Sequence, residues 1–303
     1  MQKANVYHIP VLLKETIALL NIEPGKKFID ATLGGGGHSE EILKKGGCLF
    51  AIDWDQEAIE YASIRLNNIR RNPACPSPKV ARENFENLDK VAEQFGFKKV
   101  DGILFDLGVS SHQLETPGRG FSFSKEGPLD MRMDERLSVS AKDLVNGLGE
   151  KELSELFSKL GEERQARRYA KAICFVRRDH PIATADELAR IITLEAKSRG
   201  KFDRIHPATQ VFQALRIAVN DELNNLRGVL PQTIDLLNPG GRLVILSFHS
   251  LEDGIVKRFF LEQEEKGILK IITQKPITPT ADEVKANPRA RSAKLRVAEK
   301  KLA

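Results

Sequence analysis

Four consecutive glycines at residues 34–37 follow an apolar run that ends at Asp30, and His38 comes directly after them. A turn without side chains lets a ligand lie against backbone N–H groups at the start of the next helix. A second apolar run, residues 48–52, ends at Asp53. A carboxylate about 20 residues beyond a glycine-rich turn typically binds a ribose diol. Together these features predict a ligand that contains adenosine.

Each of these features has an ordinary alternative explanation. Glycine runs also form plain loops, and this run lacks the G-x-G-x-x-G spacing of dinucleotide-binding enzymes. Asp53 alone could simply end a strand. Because a helical pattern at residues 40–43 separates the two features at the expected spacing, the combination favours a cofactor site over both alternatives.

The apolar runs also predict the elements that position these residues. Short apolar runs separated by helical stretches recur at residues 28–30, 48–52, 100–105 and 242–248, and residues 79–82, KVAR, are predicted as a further short strand. Such continuous apolar strands indicate a parallel sheet that is covered on both faces, so we predict a doubly wound α/β domain. Its ligands should bind at the carboxyl ends of the strands. Two later runs, residues 268–273 and 293–298, are predicted to pair as an antiparallel hairpin.

Several residues that follow the predicted strands are candidates for the site. Phe85 could stack on an adenine or belong to the core. Asp106 could accept a hydrogen bond from an amino group or cap the next turn. His38 and His249 could be general bases or loop donors, and Gln113 could reach the cofactor or lie on the surface. The six histidines are dispersed, so we predict no metal site.

The alternation of strands and helices stops between residues 124 and 204, where helix signals repeat. Ser140 with Asp143, and Thr184 with Glu187, have the spacing of helix capping boxes. We therefore predict an inserted helical domain over residues 124–206, within a sheet domain formed by residues 1–123 and 207–303. Apolar residues at steps of three and four predict one helix over residues 206–230. Residues 238–241, NPGG, predict a turn before the last parallel strand.

The charge distribution and the cysteines indicate partners and location. The formal net charge is +5, and residues 275–303 carry this entire excess. A second basic cluster lies at residues 159–178, and two such clusters favour nucleic acid over solvated helix faces.

The three scattered cysteines predict neither a metal site nor an even set of disulfides. Because no signal peptide or membrane-spanning run is evident either, we predict a cytoplasmic location.

Longer strings along the chain resemble a known family. These strings are FIDATLGGGGHS, AIDWDQEAI, DGILFDLGVSS, PLDMRMD, HPATQVFQALRIAVN, SFHSLED and NPRARSAKLR. They are similar to the bacterial RsmH (MraW) family of 16S rRNA cytosine-N4 methyltransferases, over about residues 8–299. The resemblance implies a class I, Rossmann-like S-adenosylmethionine methyltransferase sheet with an inserted helical substrate-binding domain.

The resemblance also implies the reaction, the partner and the site. The reaction is methylation of the exocyclic N4 amine of a cytidine in the decoding region of 16S rRNA, within the small ribosomal subunit. No metal or membrane is implied, and a homodimer stays open. The cofactor contacts implied are Gly36, Gly37, His38, Asp53, Phe85, Asp106 and Gln113. Asp106 is the catalytic candidate, because an acceptor beside the amine would draw electron density onto its nitrogen.

The chain departs from the expected motifs at two places, and two further segments are candidates for the substrate pocket. Many amino-methyltransferases have a D/N/S-P-P-aromatic motif where this chain has DLGV at residues 106–109, which leaves the acceptor in question. Gly254 stands where relatives commonly have a basic residue. Residues 119–123 and 128–133 could form walls of a pocket for the target base or a structured linker.

Two other classes of protein stay open on the sequence. An NAD-dependent dehydrogenase would use the same glycine turn and Asp53, although no hydride-transfer set is apparent. A non-catalytic RNA-binding assembly factor would keep the basic tail without needing a cofactor pocket.

Overall fold

The structure, a computed structural model, describes residues 9–69, 72–123, 125–197 and 206–302. The chain divides into two compact units: unit 1 comprises Met1–Ser110 and Leu223–Ala303, and unit 2 comprises Ser111–Glu222. The predicted insertion, residues 124–206, falls within the span of unit 2. Its first boundary, at residue 124, and residues 198–205 lie outside the described residues. The roles predicted for the two domains stay predictions.

The seven strands among the described residues belong to unit 1. They are β1 Lys27–Asp30, β2 Cys48–Asp53, β3 Lys79–Arg82, β4 Val100–Asp106, β5 Leu237–Ser247, β6 Leu269–Ile271 and β7 Lys294–Lys300. They form one sheet in the order β3-β2-β1-β4-β5-β7-β6. Strands β1 to β5 pair in parallel, and β7 is antiparallel to both β5 and β6. This topology confirms the Rossmann-like class I sheet and the closing hairpin.

The helices of both units follow in chain order. They are α1 Leu13–Leu20, α2 Gly37–Lys44, α3 Gln56–Asn67, α4 Leu88–Gln94, α5 Ser111–Glu115, α6 Ala141–Gly147, α7 Glu150–Gly161, α8 Ala166–Val176, α9 Ala185–Lys197, α10 Ala208–Asn220, α11 Glu222–Leu236, α12 Ser250–Glu265 and α13 Ala281–Ala286. Short 3₁₀ helices cover Phe85–Asn87, Pro117–Arg119 and Pro288–Ser292. Among the described residues, every helix falls short of the length and hydropathy that a membrane span requires.

The central strands are buried on both faces. Consecutive residues of β1, β2 and β4, rather than alternate ones, are buried. Phe28, Phe50 and Phe105 are among the largest fully buried side chains. Helices α1, α2, α3 and α12 pack against the sheet. The apolar runs in the sequence therefore correspond to strands whose two faces both lie in the core.

Unit 2 is built from helices α5 to α10. Helix α7 packs against both α8 and α10. The capping box predicted for Ser140 and Asp143 is present at the start of α6. At the start of α9 the Glu187 N–H donates to Thr184 Oγ1 at 3.4 Å, whereas the Glu187 carboxylate accepts from the Ala183 N–H. Thr184 therefore caps α9. The carboxylate of Glu187 accepts from the N–H of Ala183, the residue before the cap.

Two predicted local structures were wrong. The helix predicted over residues 206–230 is two helices, α10 and α11, because Asp221 between them has left-handed backbone dihedral angles with φ at 49°. The turn predicted at residues 238–241 belongs to the first part of β5. The pairing of β4 with β5 shifts register there, between Val100 and Gly102, and Gly240 has a φ of 79°. The chain passes through NPGG as an irregular strand.

The prediction that the cysteines form no disulfide was wrong for two of them. Cys48, at the start of β2, is bonded to Cys75 in the loop before β3, with a Cα–Cα distance of 5.1 Å. A separation of 27 residues gives no signal of this contact in the sequence. It arises because the sheet brings that loop beside the beginning of β2. Cys174 in α8 has no disulfide partner among the described residues.

Candidate cofactor site

Three neighbouring strands of unit 1 each end in an aspartate. Asp30 ends β1, Asp53 ends β2 and Asp106 ends β4. The order β2-β1-β4 places these strands side by side, and the direction of strand order reverses between β1 and β4. Open parallel sheets bind their ligands at this point. The three carboxyl groups therefore lie at the expected ligand-binding edge.

The glycine turn joins β1 to α2 beside Asp53. Gly36, with a φ of 72°, caps α2, and Gly37 is the first residue of that helix. A Cβ atom on Gly37 would lie 2.2 Å from Pro10 Cγ, so the segment before α1 packs directly on the turn. The first N–H groups of a helix have no acceptor within the helix. The turn can therefore offer backbone donors to a bound ligand.

Helix α3 supports the turn from behind. The Arg65 Nη1 donates to the Gly35 carbonyl at 2.9 Å, and Arg65 Nε pairs with the Glu40 carboxylate of α2. A Cβ on Gly36 would lie 3.2 Å from Ala62 Cβ. Small residues at both positions permit this close packing, which fixes the shape of the turn.

Asp53 is connected to the turn by a hydrogen bond. Its Oδ2 accepts from the Gly34 N–H at 2.8 Å, and its Oδ1 accepts from the Asp55 N–H at 3.0 Å. Burial raises the pKa of Asp53 to about 6, against the opposing effect of these two bonds. Each carboxylate oxygen can accept more than one hydrogen bond. Asp53 can therefore still bind a pair of hydroxyl groups.

Asp30 organises the same turn from its other side. Its Oδ2 accepts from Ser39 Oγ at 2.7 Å and its Oδ1 from the Thr32 N–H at 3.2 Å. The residue is 1% exposed, and burial raises its pKa to about 6. The sequence identified Asp30 only as the end of a strand. The signal for its role is Ser39, which lies just beyond the glycines on the first turn of α2.

Asp106 has the most perturbed pKa of the three aspartates. Its N–H donates to Thr32 Oγ1 at 2.6 Å, and its Oδ2 lies 3.5 Å from His38 Nδ1. Its Oδ1 is buried and has no hydrogen-bond partner among the described residues. Burial, and then the negative charges of Asp30 and Glu252, raise the pKa of Asp106 to about 8. A buried acceptor of this kind marks a place where a polar ligand group would fit.

Residues 5–301 match the family model described as the MraW methylase family. The chain belongs to this family. It is 46% identical over 309 residues to the ribosomal RNA small subunit methyltransferase H of Carboxydothermus hydrogenoformans, covering 97% of each chain. It is 47% identical over 315 residues to the protein of the same name from Halothermothrix orenii, covering 97% of this chain and 99% of that one.

A solved rRNA methylase structure from Streptococcus thermophilus is also similar to the chain. It has 12% sequence identity and a TM-score of 0.43, and it covers 96% of this chain and 94% of its own. The family membership rests on the family model and the curated relatives, and it confirms the resemblance drawn from the sequence motifs. Methyl transfer is thereby favoured over the dehydrogenase and the non-catalytic assembly factor.

In this MraW-family methylase, unit 1 holds six of the seven predicted cofactor residues. Gly36, Gly37 and His38 lie in the glycine turn and the first turn of α2. Asp53 and Asp106 end their strands. Phe85 follows β3 as the first residue of a 3₁₀ helix, is half-buried, and packs edge-on against Phe105 with 5.7 Å between ring centroids.

The seventh predicted cofactor residue, Gln113, lies elsewhere. It is buried in α5 of unit 2. Its contact with the cofactor stays a prediction.

His249 has a structural role at the end of β5 in the methylase. It caps α12, because its Nδ1 accepts from the Glu252 N–H at 3.4 Å. The Glu252 carboxylate accepts in turn from the Phe248 N–H at 2.8 Å. These contacts fix the loop whose Glu252 charge acts on Asp106. The other ring nitrogen, Nε2, lies 3.1 Å from the Glu252 carboxylate, so both nitrogens of His249 face Glu252.

Gly254 in α12 lies close to the guanidinium group of Arg258. A Cβ on Gly254 would be 3.4 Å from Arg258 Nη1, one turn further along α12. The Arg258 guanidinium therefore occupies the space that a side chain at position 254 would enter.

Proposed function

We propose that this protein transfers the methyl group of S-adenosylmethionine to the exocyclic N4 amine of a cytidine in the decoding region of 16S rRNA. The observation that carries the proposal is the buried, unpartnered Oδ1 of Asp106 at the same sheet edge as the glycine turn. Membership of a methylase family supports the reaction type. The names of the relatives support ribosomal RNA of the small subunit as the substrate.

The residues at the ends of β1, β2 and β3 fit the cofactor. Backbone N–H groups of Gly37 and His38 would bind its polar groups at the start of α2. The Gly36 N–H donates to the Leu33 carbonyl at 2.8 Å, so Gly36 would contribute the close approach that a residue without a side chain permits. Asp53 would accept from the two ribose hydroxyls. Phe85 would lie against the adenine, and Gln113 would be a further contact from unit 2. When bound, the cofactor supplies a methyl group on a positively charged sulfur.

Asp106 would act on the target amine. The lone pair of a cytosine amine is delocalised into the ring, so an acceptor for one N–H makes the nitrogen a better nucleophile. Without a ligand, the raised pKa keeps most Asp106 carboxyl groups protonated at neutral pH. A positive charge brought beside it lowers the pKa again. Asp106 would therefore lose its proton, and become a hydrogen-bond acceptor, when the positively charged cofactor is bound. His38 would hold the carboxylate in place.

Two segments of unit 2 would form walls of the pocket for the base. The Arg119 Nη2 donates to the carbonyls of Arg132 and Met133, at 3.3 and 3.1 Å. Asn220 donates to the Met131 carbonyl and accepts from the Met133 N–H, both at 2.8 Å. The Arg119 bonds join the two segments, and the Asn220 bonds hold residues 131–133 against the end of α10. A fixed pocket limits the entropy lost when the base enters.

The target base must leave its stack to enter such a pocket, which costs a few kcal/mol. Contacts between basic side chains and RNA phosphates would offset this cost, and they would weaken as salt rises. Arg258 and the basic C-terminal segment are candidates for these contacts. The proposal includes the cytoplasm as location, since small ribosomal subunits are the partner.

The test uses small subunits that lack the modification. The protein is incubated with them and with S-adenosylmethionine labelled in the methyl group, and the RNA is then digested to nucleosides. We expect label in N4-methylcytidine, identified by mass spectrometry. Asp282→Asn, a change at an exposed carboxylate of α13, is the matched control and should label normally. Label in another nucleoside, or none from folded protein, would contradict the proposal.

A further inference from the structure

The cations of α8 and its flanking residues divide into two sets. Arg168 Nη2 donates to the Glu195 carboxylate of α9 at 2.5 Å, and Arg177 Nη1 donates to the Val145 carbonyl of α6 at 2.5 Å. These two side chains are therefore used within unit 2. They hold α8 beside its neighbouring helices.

The second set lies on the exposed side of α8 and in the turns that flank it, since Arg164 precedes the helix and Arg178 follows it. Its members are separated by three or four residues: Arg164, Arg167, Lys171, Phe175 and Arg178, all of them exposed. Residues at this spacing share one helix face. The buried residues Ala166, Tyr169, Ala170 and Ile173 lie on the opposite side. We call the five exposed residues the α8 face.

The α8 face combines positive charge with one large apolar ring. Helix α8, residues 166–176, contains no acidic residue, and the exposed acids nearby, Glu162 and Asp179, lie beyond its ends. Phe175 is 67% exposed, between Lys171 and Arg178 along the stripe. A single exposed apolar residue is ordinary on a protein surface. A ring that is framed by cations is a more specific arrangement.

This combination matches one chemical class of partner. Single-stranded nucleic acid carries a phosphate for every base, and its unpaired bases stack on aromatic rings. A protein partner would require a wider apolar patch than one ring offers. A membrane surface would favour several apolar residues beside the cations. Charge complementarity, together with an exposed aromatic ring placed among these cations, therefore favours an RNA strand.

We infer that the α8 face binds a single-stranded segment of the substrate RNA, with its cations on successive phosphates and Phe175 stacked on an unpaired base. The inference rests on the proposed function, since it takes RNA as the substrate. The face lies in unit 2, whereas the predicted methyl-donor site lies in unit 1. Its loss should therefore weaken RNA binding without changing cofactor binding.

The test compares three variants in the methylation assay with small subunits. Arg167→Glu/Lys171→Glu reverses two charges, Phe175→Ala removes the ring, and Phe175→Trp keeps a stacking surface. We expect KM for small subunits to rise at least tenfold for the double variant and about tenfold for Phe175→Ala. Phe175→Trp should stay within about twofold of wild type. In all three variants kcat and the Kd for S-adenosylmethionine should be unchanged.

The control is Lys45→Glu/Lys90→Glu, which reverses two exposed lysines of unit 1 and should leave KM unchanged. If wild type methylates the subunits while the α8 variants keep their KM, this inference fails and the proposed function stands. If wild type labels no cytidine, the proposed function fails. Loss of binding to phosphatidylserine vesicles with unchanged KM for small subunits would identify a membrane surface and overturn the inference.

Discussion

The two units use charge in opposite ways. The candidate cofactor site of unit 1 contains three aspartates at neighbouring strand ends, and the pKa of each is raised. The α8 face of unit 2 exposes four cations to solvent. Burial changes the proton affinity of a charged group, so the unit 1 carboxylates suit chemistry. Exposed charge is screened by salt and instead governs encounter and affinity.

The largest effect that would sharpen this contrast is expected from Asp106→Asn. The variant keeps the shape of the side chain but removes the carboxylate that accepts from the amine. We expect kcat for methylation to fall by about 10² to 10⁴. Single-turnover transfer of labelled methyl groups at saturating cofactor and subunits measures it. A kcat within threefold of wild type would remove Asp106 from the chemistry.

A smaller effect is expected from Asp53→Asn. The amide can replace only part of the acceptor capacity that the carboxylate offers to two ribose hydroxyls. Hydrogen bonds to charged groups contribute about 1.5 to 3 kcal/mol, so the Kd for S-adenosylmethionine should rise about tenfold to a hundredfold. Isothermal titration calorimetry measures this Kd. At saturating cofactor, kcat should recover, and a kcat that stays low would give Asp53 a different role.

The pH dependence of stability tests the buried charge directly. Native Asp106 keeps its proton up to about pH 8, whereas an unfolded aspartate loses it near 3.8. Between these values the unfolded state binds fewer protons, so the stability of the cofactor-free protein falls as pH rises. Asp106→Asn lacks this titration. Urea unfolding at pH 5 and pH 7 should show wild type losing about 2 kcal/mol relative to the variant.

If the free energy of unfolding changes equally with pH in wild type and in Asp106→Asn, Asp106 has an ordinary pKa in the native protein. Asp30 and Asp53 are present in both proteins, and their raised pKa values act in the same direction up to about pH 6. Their effects therefore cancel in the comparison. The difference isolates Asp106.

The smallest effect is expected from Arg178→Ala, which removes one exposed cation of the α8 face. RNA affinity should fall only about twofold to fivefold at moderate salt, because exposed charges are screened. The slope of log K against log salt should become less steep by about 0.7, as expected for one lost phosphate contact on a single strand. Fluorescence anisotropy with a labelled rRNA fragment measures both. Asp106→Asn should leave this slope unchanged. A changed slope in that variant would mean that Asp106 also affects the phosphate contacts, which would contradict the division of roles between the two units.

The sequence predicted the sheet well because its strands are locally encoded. Residues 79–82, KVAR, follow a helical stretch and form a strand with the predicted bounds. The break at Asp221 was missed, because a non-glycine residue in the left-handed region depends on the packing of the helices on either side. The Cys48–Cys75 bond was missed because it depends on which loop the folded sheet brings beside β2.

The candidate site was predictable in part for the same reason. Asp53 and Asp106 stand at strand ends that the apolar runs identify. The role of Asp30 was missed because it depends on its contact with Ser39, across the glycine turn. The sequence could not show which cations of α8 are paired and which are exposed. That depends on which side of the helix each one lies and on where Glu195 and Val145 stand in the folded unit.

The insertion of unit 2 between β4 and β5 also affects how the protein is made. Asp30, Asp53 and Asp106 are all translated before unit 2, but the strand that pairs beside β4 is translated after it. At 5 to 20 residues per second, the ribosome needs about 5 to 20 s to complete unit 2. During that interval β4 is an edge strand with unpaired backbone groups, which is a template for aggregation. Unit 2 is continuous in sequence, so all of its helices have been translated before the strands that complete the sheet.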